Sequence, residues 1–110
     1  MSYLEEIYHY GHDIQDLEMS PFETINALHL RSEIEQKYDE LTVSEKQQLA
    51  VYDRILLSNA KAMYEHLRRG YNFPSHKPVG EWWWHLDKVV NGEIVFNASE
   101  IKNNTLNVNK

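Results

Sequence analysis

Residues 42–70 read TVSEKQQLAVYDRILLSNAKAMYEHLRRG, and their apolar spacing marks the central helix of an α-helical fold. Leu49, Tyr52, Leu56, Ala60, Met63 and Leu67 recur three or four residues apart and make one stripe, which Val51, Ile55 and Tyr64 broaden. A stripe that wide implies burial against more than one neighbour. The start is marked twice, by Thr42 with Glu45 and by Ser44 with Gln47, both spaced for a capping box. Arg68 and Arg69 suit the negative end of the helix dipole, and Gly70 follows as a stop, so the helix is expected over 44–69.

Upstream, Ser20-Pro21-Phe22-Glu23 is an equally strong start signal. The serine can cap, the glutamate can reach back, and proline takes the first helical position, where no amide hydrogen is needed. A second helix to about Leu41 would bury Ile25, Leu28, Leu30, Ile34, Tyr38 and Leu41, with Glu33, Glu35, Asp39 and Glu40 on its other face. Before it, Tyr3, Ile7, Tyr10, Ile14 and Leu17 repeat at helical spacing, which predicts a first helix over 2–17. Gly11 falls inside that helix and weakens it by about 1 kcal/mol relative to alanine. Downstream, residues 70–80 hold two prolines and two glycines and read as a loop, pinned back by Tyr71 and Phe73.

Next comes Trp82-Trp83-Trp84-His85. Successive residues step by about 100° on a helix and about 180° on a strand, so three in a row cannot all face one core. At least one ring is expected at a surface or interface, where large aromatics anchor partners. On a helix, Trp82 and Trp83 join Leu86, Val89 and Val90 on one face and Trp84 points away. In a hairpin, Asn91-Gly92 turns between Val89-Val90 and Ile94-Val95-Phe96, and Trp83 is the odd ring out. The expected fold is therefore mainly α: a small antiparallel three-helix bundle with a Trp-rich C-terminal helix or hairpin packed on it. One helical domain should span 1–100, and the asparagine-rich residues 101–110 read as a flexible tail.

The absence of cysteine excludes disulfides, thiolate metal sites and cysteine nucleophiles, and fits the cytoplasm. An acidic start at Glu5 and Glu6 is unlike a secretory signal, and no apolar run is long enough for a membrane span. The net charge of −6 is unevenly placed. Residues 1–45 carry eleven acids against Arg31 and Lys37 alone, a balance of −9; residues 46–110 carry nine bases against six acids, a balance of +3. The overall sign argues against a nucleic-acid partner. The split means that the halves attract each other within the fold, or that the acidic face meets a basic partner.

Chemistry-bearing patterns are sparse. His9, His12, Asp13 and Asp16 share one helical face with Glu5, a donor set that a divalent metal would accept, although any amphipathic helix has such a polar side. Glu6-x-x-His9 has no second copy, as a di-iron bundle would need. His66 with Arg68 and Arg69, and His76 with Lys77, end their elements. The serines lack a nucleophile-elbow setting, and four glycines make no phosphate loop. Lys77, Lys88, Arg68 and Arg69 near the tryptophans suggest a base-stacking platform, but Glu81 and Asp87 interrupt it. No cofactor is implied. The expected role is a small non-enzymatic regulatory or accessory protein that binds another protein, with homodimerisation a further expectation. Trp83, Trp84, His85, Glu35 and Asp39 are the expected contact residues. The alternatives are a metal-binding or hydrolytic protein using His9, His12, Asp13 and Asp16, and a nucleic-acid accessory factor.

Overall fold

Capping chemistry sets where the helices begin. In a computed structural model, which describes residues 2–94, Ser20 Oγ accepts from the Glu23 amide at 3.2 Å and Pro21 opens α2 (Pro21–Gln36). Thr42 and Glu45 form a complete capping box at the head of α3 (Val43–Ser58), with bonds of 3.1 and 2.8 Å. The second oxygen of Glu45 reaches further, accepting from the Tyr3 amide at 2.8 Å and from Ser2 Oγ at 3.2 Å. A local cap thus also fastens the start of the chain to α3. These hydrogen bonds, led by those to the Thr42 and Tyr3 amides, hold the Glu45 carboxyl below its ordinary pKa.

The described residues are mainly helical and contain no strand. The remaining elements are α1 (Leu4–Asp13), α4 (Ala60–Leu67), α5 (Leu86–Val90) and two 3-10 turns, Tyr38–Glu40 and Trp82–Trp84. α1 packs on both α2 and α3, while α4 packs on α2, α3 and α5. No helix among the described residues is long and apolar enough to cross a membrane.

Three long helices were expected, and each is shorter. α1 ends at Asp13 instead of reaching Leu17, which is left exposed; Asp16 instead accepts from the Glu18 amide at 3.0 Å and turns the chain. α2 stops at Gln36, and the segment to Leu41 tightens into a 3-10 turn. The expected helix over 44–69 is broken at Asn59, whose φ of −107° and ψ of 21° leave the helical region. Its side-chain amide donates to the Ile55 carbonyl at 3.1 Å, the local competition with the backbone that makes asparagine a poor mid-helix residue. The break redirects the chain without dispersing the stripe: Leu49, Leu56, Ala60, Met63 and Leu67 are all buried. Residues 86–90 settle as helix, closed by Gly92 at φ 87°. The Val95-Phe96 part of the hairpin alternative and the expected 101–110 tail lie outside the described residues.

Gly11 gains a reason that helix propensity hides. The ring of Tyr52 from α3 lies directly on it, so a Cβ there would fall inside van der Waals contact. Gly11→Ala should gain about 1 kcal/mol of propensity but lose about 1–3 kcal/mol to overpacking, for a net loss in urea melts. A variant more stable than the parent would mean that Tyr52 swings aside freely.

Candidate functional site

The tryptophans form one turn of 3-10 helix, in which successive side chains diverge by about 120°. Even so, Trp82, Trp83 and Trp84 are only 3, 1 and 1 % exposed, and His85 is 2 % exposed. The expectation that one ring must be exposed is corrected here. It assumed a single core face, whereas this turn is enclosed from several sides. Trp83 lies beneath the Arg31 guanidinium of α2, with Cζ 4.2 Å from the ring centroid, and meets Trp82 edge-on at 5.6 Å. Trp84 contacts His29 at 4.8 Å on one side, and Tyr71 at 5.4 Å and Lys77 at 5.0 Å from the 70–81 loop. His85 Nε2 donates to the carbonyls of Lys77 and Pro78 at 2.9 and 3.2 Å, tying that loop down over the rings.

Ser32 organises the indoles. Its Oγ accepts from Trp83 Nε1 at 3.0 Å and Trp84 Nε1 at 2.9 Å, and donates to Glu81 Oε1 at 2.9 Å. One hydroxyl has two lone pairs and one proton, and all three are used.

Above Trp83 lies a buried ionic network that sequence reading missed. Arg31 and Asp53 are each 1 % exposed. Arg31 grips Asp53 through Nε at 3.0 Å and Nη2 at 2.9 Å, and its Nη1 reaches Glu35 at 2.9 Å. Tyr10 donates to Asp53 at 2.7 Å. Burial by itself would lower the Arg31 pKa; the Asp53 charge and hydrogen bonds reverse that, and the guanidinium stays ionised. Burial first, and then the Asp53 charge, raise the Tyr10 phenol well above its ordinary value. A signal was present. Arg31 lies midway between Leu28 and Ile34, and Asp53 lies between Leu49 and Leu56, so opposite charges occupy the apolar stripes of α2 and α3.

The His/Asp face does not assemble as a metal set. His9 and His12 both approach Asp13, at 3.2 and 3.1 Å, while Asp16 serves the Glu18 amide. Among the described residues, no group of three His, Cys, Asp or Glu side chains is arranged to hold a metal.

The acidic residues of the second segment are at the surface. Glu33, Glu35, Asp39 and Glu40 are all exposed; Glu35 is held by Arg31, and Glu40 accepts from the Tyr3 hydroxyl at 2.7 Å. Of the expected contact residues, Glu35 and Asp39 are accessible, whereas Trp83, Trp84 and His85 are interior. The chain matches no protein-family model, no curated protein and no solved structure.

Proposed function

We propose that this chain is a small, non-enzymatic regulatory or accessory protein of the cytoplasm, and that it works by binding another protein on its acidic surface. The observation that carries this reading is the fate of the cations. Residues 2–45 contain only Arg31 and Lys37, and Arg31 is buried against Asp53. Lys37, joined by Lys46 over the Tyr38 ring at 4.7 Å, is all that remains there to balance exposed Glu5, Glu6, Glu33, Glu35, Asp39 and Glu40. Such a predominantly acidic surface favours and steers a basic partner. In this reading the tryptophans act from beneath: Trp83 seats Arg31, and Arg31 fixes Glu35.

The test is a double variant, Glu35→Gln with Asp39→Lys. Glutamine keeps an acceptor for Arg31, so the fold should be unchanged by circular dichroism. Capture of a partner from native lysate should fall about tenfold in the variant, and should weaken likewise between about 50 and 300 mM salt as charges are screened. Capture that ignores both the charge reversal and the salt would remove the acidic surface from consideration.

A further inference from the structure

A cleft of about 230 Å³ opens between α1 and the second half of α2, lined by Tyr3, Glu6, Leu30, Glu33, Ile34 and Lys37. Small-molecule pockets run to about 300–1,000 Å³, so this one suits a single long side chain better than a cofactor. Its apolar lining is Ile34, which is buried, with Leu30 and Tyr3, which are half-buried. Glu6 on α1 and Glu33 on α2 are exposed at it. Of the other acids on this surface, Glu35 is engaged by Arg31 and Glu40 by Tyr3, while Glu5 and Asp39 are free among the described residues but lie outside the cleft. Glu6 and Glu33 make no hydrogen bond or ion pair with any described residue. Two helices therefore present two unspent carboxylates beside an apolar wall.

That pairing is the complement of an arginine or lysine side chain, which has an apolar stem and a cationic head. We propose that this cleft receives one basic side chain from a basic segment of the partner, its stem on Leu30, Ile34 and Tyr3 and its head between Glu6 and Glu33. The inference rests on the acidic-surface reading and adds to it the place and chemistry of the anchor. A bare divalent ion is a poorer occupant, because the apolar wall offers it no ligands. Lys37 limits the cleft to one cation, so its removal should improve binding.

The probe is an acetylated, amidated penta-arginine peptide, titrated into the isotope-labelled full chain at low salt, with penta-citrulline as its neutral isostere. The arginine peptide should shift the amides of Leu30, Glu33 and Ile34, and citrulline should not. Glu6→Gln with Glu33→Gln should weaken binding at least about fivefold, against less than about twofold for Glu35→Gln with Asp39→Asn, which changes equal charge outside the cleft. Lys37→Gln should tighten it by about twofold.

Equal losses in the two double variants would overturn the cleft while leaving the acidic surface as the partner site. Equal shifts with citrulline would overturn the cationic occupant, and concentration-dependent self-association covering the same amides would replace it with a second copy of this chain. Absence of any shift over residues 30–37 would also overturn the cleft. The preceding capture test uses residues outside it, and so would still decide the acidic-surface reading by itself.

Discussion

Asp53→Ala is expected to destabilise the protein by about 3–5 kcal/mol, because it leaves a buried guanidinium without its counter-ion. Arg31 is 1 % exposed and cannot simply turn to water, and Tyr10 loses the Asp53 acceptor of its hydroxyl in the same step. Domains of this size have about 5–15 kcal/mol in total, so the variant should be near its folding limit. Denaturant melts followed by circular dichroism measure the loss. Replacing the whole network, as Arg31→Met with Asp53→Leu and Tyr10→Phe, should recover most of it, since well-packed apolar groups often equal or exceed a buried ion pair. With Tyr10→Phe included, no buried hydroxyl is left without its acceptor. A loss for Asp53→Ala below about 1 kcal/mol would mean that Glu35 alone can satisfy Arg31.

Trp83→Ala comes next, at about 3–5 kcal/mol for emptying a large buried aromatic site. The ring carries more than its own area: Arg31 stacks on its face, and its Nε1 fills one lone pair of Ser32. Its loss should therefore loosen both the ionic network and the serine hub. Trp83→Phe keeps a ring beneath the guanidinium and should cost less, although it abandons the bond to Ser32. Iodide should quench the native tryptophan emission very little, because all three indoles are interior. Strong quenching of the folded chain, or a Trp83→Ala loss under about 1 kcal/mol, would contradict the enclosure of this turn.

Both predictions concern residues that sequence reading placed elsewhere. Arg31 was counted among the cations of residues 1–45, and Trp83 was expected at a partner surface. The error in each case was to treat one side of an element as the interior. Charged residues are almost never fully buried unless paired, and the partner of Arg31 is 22 residues away. Of the acidic surface, Glu33, Glu35, Asp39 and Glu40 were legible, because they fall off the apolar stripe of α2. The cleft was not, since Glu6 and Glu33 come to line one cleft only once α1 lies on α2.

The sequence by itself determined that this chain is mainly helical, where α2 and α3 begin, and most of the aliphatic core, although Leu17, Val51 and Val90 of the expected stripes are exposed. Caps join residues three apart and apolar stripes repeat within one or two turns, so both are written in short stretches of chain. Only the tertiary structure decided which polar groups go inside and what covers the tryptophans. Trp83 reaches Ser32 across 51 positions and Tyr10 reaches Asp53 across 43. A buried polar group is stable only where such a distant partner arrives with the right geometry, and no local period encodes that arrival.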